Sequence, residues 1–389
     1  MGNVDVKNLV LSGKGIITGK GAISFLETLN YKRVIIVTGG NSMIRNGIID
    51  KTRKMLEKTG SRTELITGIQ KNPSFEEVAD GLLKFKEFEP DCVLAIGGGS
   101  AMDAAKAMLL FYEFPYLNKD NVIEYKDSGK IPRERKTALI CVPSTSGTAS
   151  EVTKTSVITD LQKKLKVPII TECLRPDIAI LDPDITMTMP DNIAAETGMD
   201  ALTHAIESYT NHNLDDFDEA LAKAAVAGII RYLPDSCKEK DELAREKVHN
   251  YQCMAGISFA NVGLGMVHGI AHSFGAAFNL GHGLSNAIIL PYVLEYNRRN
   301  SVVEAKLKEL SYACRCEDII KKIYELKEEL GIPKSFFDAG ITEEDYKSNF
   351  NLLLEHSMLG ATKVNPVTVS IDDMKQMLDT VYYGRKIDF

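Results

Sequence analysis

Two domains of different class are predicted along this chain: an α/β domain with a parallel sheet, then an all-helical domain. In the first half, short β-rich runs alternate with stretches of helical periodicity, which is typical of a parallel sheet with helices on both faces. After about residue 186 the 3.6-residue periodicity continues, but β-branched runs become scarce. The segment "LDPDITMTMP" at 181–190, punctuated by two prolines, separates the halves. We therefore place the domains at residues 1–185 and 186–389.

Turn residues bound the predicted strands and the helix that lies among them. "SFEEVADGLLKFKEF" has the periodicity of an amphipathic helix, and Ser74 with Glu77 forms a capping-box pattern at its start. Compact apolar runs rich in valine and isoleucine predict four buried strands. These runs are RVIIV at 33–37, TELI at 63–66, CVLAI at 92–96 and TALICV at 137–142.

The second half is predicted to be helical because long stretches carry apolar residues at helical spacing. Little in this half has the alternating or continuous β-branched character of a strand. The clearest helical stretches are "PDNIAAETGMDALTHAIESY", "DEALAKAAVAGIIRYL", "ELAREKVHNYQCMAGISFA" and "EDIIKKIYELKEELG".

The composition is that of an ordinary globular protein, and it argues against several classes of partner. With 44% hydrophobic and 25% charged residues over 389 positions, the chain can bury a sizeable core. A net charge of −7 disfavours nucleic acid or an anionic membrane as the main partner. The seven cysteines are odd in number and include no CxxC pair, which predicts reduced thiols in a cytoplasmic protein.

A glycine-rich turn follows the third predicted strand. "DCVLAIGGGSAMDAAKA" runs from that strand through three glycines into a helix, with Asp103 and Lys106 in its first two turns. Glycines let a phosphate approach the backbone, and a helix start offers free N–H groups and a partial positive charge. The pattern differs from GxGxxG, so the turn could be purely structural, but its strand–turn–helix setting favours phosphate binding.

Two further loops follow predicted strands in the same way. "VTGGNS" at 37–42 follows the first strand, where an acidic residue would hydrogen-bond an adenosine ribose and repel a 2′-phosphate. The four residues after its threonine are all uncharged. "PSTSGTASEVT" at 143–153 is rich in hydroxyl groups and, on its own, is equally compatible with a plain loop or a helix cap.

Candidate metal ligands are concentrated in the helical half. Asp200 and His204 lie four residues apart on an apolar-rich helix, so both face one side and could bind a single ion. His268 and His272 have the same spacing, and His282 stands between two glycines. An Asp–His hydrogen bond or a histidine satisfied in the core would explain one pair alone. A catalytic metal takes three or four protein ligands, so one of these five is a neighbour that spacing does not identify. The other three histidines are expected on the surface or in packing: His212, His249 and His356.

Taken together, four motifs resemble the iron-containing alcohol dehydrogenases (group III). "GGGSAMDAAKA", "PSTSGTASEVT", "TGMDALTHAIESY" and "GMVHGIAHSFGAAFNLGHGLSNAIILP" occur in that family's order and separations, over nearly the whole chain. The resemblance implies that His272 lies beside the nicotinamide and the substrate, where it would handle a proton or position the reactants. It implies that the metal ligands are Asp200, His204, His268 and His282.

The resemblance also implies which residues contact a dinucleotide cofactor. The glycine turn would cradle the pyrophosphate, the loop at 143–153 would contact the cofactor, and Lys166 would approach a ribose. Many NAD-preferring members of the family have Asp at the position of Gly39, whereas NADP-using members resemble this chain, so we expect NADP(H) to be preferred over NAD(H). The expected cofactor-binding residues are Gly39, Gly40, Ser42, Gly97, Gly98, Gly99, Ser100, Asp103, Thr145, Thr148 and Lys166.

The activity that this resemblance implies is hydride transfer between NAD(P)(H) and a small primary alcohol or aldehyde of the butanol or propanediol type. The expected metal is Fe²⁺, with Zn²⁺ as the alternative, and the expected assembly is a homodimer or a larger homo-oligomer. A dehydroquinate-synthase-like lyase also joins a nicotinamide cofactor to a metal, but it needs several basic residues, and the metal-binding motifs here are poor in Arg and Lys. A metal-dependent hydrolase would leave the three cofactor-like loops unexplained.

Overall fold

A computed structural model of the protein describes residues 9–163 and 165–389. It contains the two predicted classes of structure in the predicted order, an α/β domain followed by a helical domain. The last strand of the α/β domain ends at Leu181, and the first long helix of the helical domain begins at Asp191. The boundary between residues 185 and 186 falls in this interval and stays a prediction. The strands are β1 (Gly15–Thr18), β2 (Arg33–Gly39), β3 (Arg62–Ile69), β4 (Cys92–Gly97), β5 (Ala138–Pro143), β6 (Thr155–Asp160), β7 (Leu165–Ile170) and β8 (Ile178–Leu181).

Six of these strands form one parallel sheet in the order β1–β8–β5–β4–β2–β3. The four strands predicted from apolar runs are β2 to β5. Each begins within two residues of its predicted first residue and ends within three residues of its predicted last residue. In the sheet β5, β4 and β2 are neighbours, with Gly97 opposite Pro143 and Thr38 opposite Ile96. Because parallel strands end at the same edge, the three loops singled out above emerge side by side.

Helices cover the sheet and make up the second domain. The predicted capping box is confirmed, since the Ser74 hydroxyl accepts from the Glu77 N–H and the Glu77 carboxylate accepts from the Ser74 N–H. Short 3₁₀ segments also occur at residues 22–28, 172–174 and 360–364. The helices are α1 (Ser42–Arg45), α2 (Ile48–Lys58), α3 (Phe75–Phe88), α4 (Gly99–Glu113), α5 (Val122–Asp127), α6 (Pro183–Thr186), α7 (Asp191–Thr210), α8 (Asp216–Lys238), α9 (Glu242–Val262), α10 (Met266–Phe278), α11 (His282–Asn297), α12 (Ser301–Ala313), α13 (Ile319–Glu329), α14 (Glu343–Ser357) and α15 (Ile371–Tyr383).

Four strands were not predicted. β1 and β8 are only four residues long and pair with each other at one end of the sheet. β6 and β7 form a separate antiparallel hairpin, in which Val157 lies opposite Pro168. The hairpin extends the α/β domain beyond the predicted parallel sheet, and it carries Lys166 on its second strand.

Separate hydrophobic cores hold the two domains. Side chains of β2, β4 and β5 alternate between the faces of the sheet, so that Ile35, Val93 and Leu139 pack in one cluster while their neighbours pack in another. A single larger cluster fills the helical domain. Among the described residues, no single helix is long and apolar enough to span a membrane; only α9 and α10 taken together are, by length and composition, and they are bent by 103°.

Candidate active site

Helix α7 carries Asp200 and His204 through the centre of the helical domain. Asp200 is 2% exposed and His204 is 4% exposed, and every residue from 198 to 210 is buried. A helix buried on all sides is normally apolar, so buried ionisable side chains on it need partners. These two lie one turn apart and face the same direction, toward α10 and α11.

Helices α10 and α11 supply the histidines that face α7. His268 and His272 lie on α10, and His282 is the first residue of α11. The start of α11 lies directly against α7, because a Cβ atom at Gly283 would sit 2.3 Å from the Glu196 carbonyl oxygen and 3.3 Å from the Asp200 Cβ. Glycine at 283 therefore allows the close approach that brings His282 to Asp200.

Four of the five predicted candidates converge on one point. Asp200, His204, His268 and His282 each offer one ligand atom, and these atoms all lie within 4.8 Å of one another. The Asp200 Oδ1 is 3.6 Å from His282 Nε2 and 4.0 Å from His268 Nε2. His272 stands beside this group, with its ring stacked on that of His282 at a centroid distance of 5.1 Å. The structure thus shows that His272 is the candidate outside the group of four, which the sequence spacing could not show.

The metal-ligand atoms of this cluster suit a cation. The Nδ2 of Asn286 lies 2.6 Å from Asp200 Oδ1, 3.1 Å from His268 Nε2 and 3.2 Å from His282 Nε2. An amide nitrogen has two hydrogens, so it cannot serve three acceptors at once. The acceptor lone pairs on these three side chains therefore outnumber the N–H groups that Asn286 offers them. A site of three imidazole nitrogens and one carboxylate suits a divalent transition metal.

Glu207 contacts one of the predicted metal ligands and was not itself predicted from the sequence. It lies on α7 one turn beyond His204, and its Oε2 is 2.5 Å from His268 Nδ1 while its Oε1 accepts from the Val267 N–H at 2.7 Å. This contact directs the His268 Nε2 lone pair toward the cluster, as carboxylates behind metal-bound histidines commonly do. Burial raises the pKa of Glu207 to about 7, against the lowering effect of its backbone hydrogen bonds. Burial and the adjacent His204 lower the pKa of His268 well below its usual value, so its ring is neutral and able to bind a metal.

The glycine turn and the hydroxyl-rich loop meet at the edge of the sheet. A Cβ atom built at Gly98 would lie 3.5 Å from Thr145, and one built at Gly99 would lie 2.9 Å from the Thr148 methyl group. Both threonines are half-buried, whereas Ser146 and other parts of the same loop are buried. A side chain at Gly99 would therefore crowd Thr148, whereas one at Gly98 would be in ordinary contact with Thr145, and the two predicted threonines flank the turn. Gly98 caps α4, whose first N–H groups begin at this turn.

The third loop lies beside this turn and is more open. Gly39 ends β2, and its backbone nitrogen is 3.6 Å from the Cβ that would be built at Gly97. Gly40 is exposed with φ +46°, a left-handed conformation that glycine adopts readily. Ser42 begins the short helix α1 and is exposed. The predicted residues of all three loops, including the half-buried Ser100, thus share one edge.

Asp103 and Lys106 are turned into the protein. The Asp103 carboxylate accepts from the Ser150 hydroxyl at 2.9 Å and from the Val157 N–H at 3.0 Å. Lys106 is fully buried, and its Nζ donates to the carbonyl oxygens of Ser150 at 2.6 Å and Thr153 at 2.9 Å. Burial lowers the pKa of Lys106 and raises the pKa of Asp103. These side chains tie α4 to the hydroxyl-rich loop, and a direct cofactor contact by Asp103 stays a prediction.

Comparison with known proteins gives the same assignment over both domains. The family profile described as iron-containing alcohol dehydrogenase matches residues 13–183, and its C-terminal counterpart matches residues 194–382. The chain belongs to the iron-containing alcohol dehydrogenase family. It is accordingly an NAD(P)-dependent oxidoreductase of the alcohol dehydrogenase class, and the Asp/His cluster is the divalent-metal site typical of that family.

Relatives match the chain over nearly its full length. The NADPH-dependent butanol dehydrogenase of Clostridium saccharobutylicum is 40% identical, covering 97% of this chain and 98% of the relative. The 1-propanol dehydrogenase PduQ of Citrobacter freundii is 33% identical, covering 93% and 96%. The solved structure of the iron-containing alcohol dehydrogenase of Thermococcus thioreducens superposes with a TM-score of 0.90 at 34% identity, covering 97% of this chain and 100% of that one.

A cavity opens between the two domains of this alcohol dehydrogenase, next to His272. It has a volume of about 320 Å³, and Lys166 on the hairpin and Gly275 on α10 both line it. His272 is exposed and lies one turn before Gly275 on the same helix. Partial burial and the nearby charge of Lys71 lower the pKa of Lys166. Lys166 and His272 are therefore both available to molecules that enter between the domains.

Replacing Glu207 with glutamine is expected to weaken metal binding in this alcohol dehydrogenase about 10- to 100-fold. Both carboxylate oxygens accept hydrogen bonds, from His268 and Val267, whereas an amide has one oxygen and must turn its NH₂ group toward one donor. Competition with a chelator measures the change in zinc affinity. Glu309→Gln on the exposed side of the domain is the control, and an unchanged affinity in Glu207→Gln would contradict the role given to Glu207.

Proposed function

We propose that the protein is a metal-dependent alcohol dehydrogenase and aldehyde reductase that transfers hydride between NADP(H) and a small primary alcohol or aldehyde. The observation that carries the proposal is the convergence of four ligand atoms within 4.8 Å in the helical domain, next to a cleft bordered by the α/β domain. A metal site alone would suit a hydrolase, but the three adjacent loops at the sheet edge suit a dinucleotide. Their combination favours a redox reaction.

The metal would be held by Asp200, His204, His268 and His282, with Fe²⁺ as the expected ion and Zn²⁺ as the alternative. When bound, a divalent cation polarises a substrate oxygen and stabilises negative charge on it, while a nicotinamide accepts or donates the hydride. Glu207 holds the His268 ring in place through its Nδ1. Asn286, which touches Asp200, His268 and His282, would keep one donor directed at the Asp200 carboxylate.

His272 is proposed to be the catalytic residue that holds or moves the proton. The His272 ring stacks on that of His282, one of the proposed metal ligands. The His272 side chain is exposed, so it is free to contact a bound substrate. A positioned histidine is the commonest general acid or base. Lys166 lines the cavity between the domains together with Gly275, one turn after His272, and there it would contact the ribose next to the nicotinamide.

The proposed dinucleotide site extends from this cavity along the sheet edge. Gly97, Gly98, Gly99 and Ser100 would hold the pyrophosphate, with Thr145 and Thr148 as flanking contacts. The N–H groups at the start of α4 supply hydrogen bonds and the positive end of a helix dipole. Gly39, Gly40 and Ser42 would then lie at the adenosine end of the cofactor.

NADP(H) is the proposed cofactor because the loop after β2 carries no negative charge. An acidic side chain there would repel the 2′-phosphate, and an uncharged, open turn leaves room for it. The relative with 40% identity is named an NADPH-dependent butanol dehydrogenase, which supports both this preference and a short aliphatic substrate. A homodimer or a larger homo-oligomer is also proposed, on the resemblance to the family.

Gly39→Asp is expected to lower kcat/KM for NADPH roughly 10- to 100-fold relative to NADH, because an added carboxylate would face the 2′-phosphate. A Cβ at position 39 would lie 3.3 Å from the Ile69 carbonyl oxygen and 3.6 Å from the Ala101 Cβ, a tight fit that needs a small shift. Gly39→Ala introduces the same Cβ without the charge and should keep the preference. Steady-state kinetics with both cofactors measure the ratio. Equal ratios in the two variants would place the 2′-phosphate elsewhere.

The test of the proposed function is direct. Protein loaded with Fe²⁺ or Zn²⁺ is mixed with NADPH and butanal, and absorbance at 340 nm is followed. We expect steady consumption of NADPH that depends on the aldehyde and stops when a chelator removes the metal. A lyase or hydrolase would show no net consumption of NADPH with any short aldehyde, and that result would overturn the proposal.

A further inference from the structure

The loop of residues 144–154, which joins β5 to β6, is fixed from two sides. On one side α4 of the α/β domain holds it through Asp103 and Lys106, as described above. On the other side α9 of the helical domain reaches it with two fully buried side chains, His249 and Gln252. No predicted metal ligand or cofactor contact lies on α9. This helix therefore has a connection to the loop that the proposed function does not explain.

The contacts from α9 are short and buried. The His249 Nδ1 is 2.9 Å from the Ser146 hydroxyl, and Ser146 is only 2% exposed. The Gln252 Oε1 accepts from the Ala149 N–H at 3.1 Å, and its Nε2 donates to the buried Glu151 carboxylate at 2.6 Å. Buried polar groups of this kind cost free energy when a partner is lost. The loop is thus held from α9 at Ser146, Ala149 and Glu151, through its backbone at Ala149 and through side chains at the other two.

The loop adopts a conformation that needs such support. Ala149 has φ +51°, in the left-handed region that side chains other than glycine rarely occupy. The α9 backbone lies directly against it, because a Cβ built at Gly256 would be 2.1 Å from the Ala149 Cβ. The residue before Ala149 is Thr148, which flanks the glycine turn at Gly99. An unfavourable backbone angle is thereby held next to a proposed cofactor contact.

We propose that His249 and Gln252 are positioning residues for the dinucleotide: they hold the loop so that Thr145 and Thr148 face the glycine turn. The inference rests on the proposed dinucleotide-binding role of that loop. It means that the helical domain, besides carrying the metal ligands, sets the shape of the cofactor site in the other domain. The side chains that α9 contacts are buried and those that flank the turn are half-buried, so support and binding fall to different residues of one loop.

The inference is tested by measuring the Kd of NADPH on full-length, metal-loaded protein, from the fluorescence change of the bound nicotinamide. Gln252→Met removes both amide hydrogen bonds at nearly constant length, and we expect Kd to rise about tenfold, equivalent to about 1.4 kcal/mol. Metal content and the KM for butanal should not change. Val248→Ala is the matched control, since Val248 is a buried neighbour on α9 that packs in the helical core.

A milder variant keeps the test decisive if the larger changes prevent folding. Ser146→Ala removes only the hydroxyl that contacts His249, and a double-mutant cycle with His249→Leu should show coupling in the Kd of NADPH. Unchanged Kd values in the folded variants, or an equal rise in Val248→Ala, would overturn the inference while leaving the proposed function intact. No binding of NADPH or NADH to the wild-type protein would overturn both.

Discussion

Replacing His268 with alanine is expected to abolish metal retention and catalysis together. His268 is 1% exposed and sits between Glu207 and the other ligands, so its loss removes one ligand and leaves a buried carboxylate without its ring partner. Because a bound cation would supply several kcal/mol of stabilisation to negative charge on a substrate oxygen, we expect kcat/KM to fall about 10³-fold or more. Metal analysis by mass spectrometry and NADPH oxidation on the same sample measure the two effects.

His212→Ala is the control for that variant. His212 is an exposed histidine two residues after the end of α7, outside the ligand cluster, and its removal should change neither metal content nor rate. If His268→Ala retained a full equivalent of metal with wild-type turnover, the cluster would not be the catalytic metal site.

His272→Ala is expected to separate chemistry from metal binding. The His272 ring lies outside the group of four ligands, so the variant should keep its metal, while the loss of a proton-handling histidine should lower kcat about 10²- to 10⁴-fold. The loss in kcat should be similar across a pH series, because desolvation of the ring and the neighbouring His282 lower the pKa of His272 to about 3 and keep the ring neutral. The measurement is kcat per metal-loaded site across a pH series.

The role of His272 would be contradicted if its loss affected metal retention instead of turnover. Complete loss of metal from His272→Ala, with retention in His282→Ala, would exchange the parts assigned to the two stacked rings. Normal turnover in a metal-loaded His272→Ala would instead assign the proton to another group in the cleft.

The sheet was predictable where its strands are long and buried on both faces. The runs that became β2, β4 and β5 are continuous and apolar because helices cover both sides of the sheet. The short strands β1 and β8 have four residues each, too few for a pattern to stand out. The β6–β7 hairpin was missed because Pro168 interrupts its second strand and only Val157 and Ile158 are strongly apolar in its first.

The candidate metal ligands could be found from spacing because helical geometry places residues i and i+4 together. Spacing of i, i+3 also places side chains on one face and would have reached Glu207 from His204, but a glutamate on a helix is usually a surface residue and was not singled out. The position of Lys106 in the sequence did not show where its side chain would point. It is buried and donates to the backbone carbonyl oxygens of Ser150, Thr153 and Thr155. Its direction depends on how the loop folds back over α4, which no local pattern encodes.

The most direct test of the account is a crystal structure of the metal-loaded protein with anomalous diffraction recorded at the metal absorption edge. We expect one strong peak bound by the Asp200 carboxylate and by nitrogens of His204, His268 and His282, at about 2.0–2.2 Å from each ligand atom. His272 should remain unbound, facing the cleft between the domains. A peak located elsewhere, or these four side chains too far apart to share one ion, would contradict it.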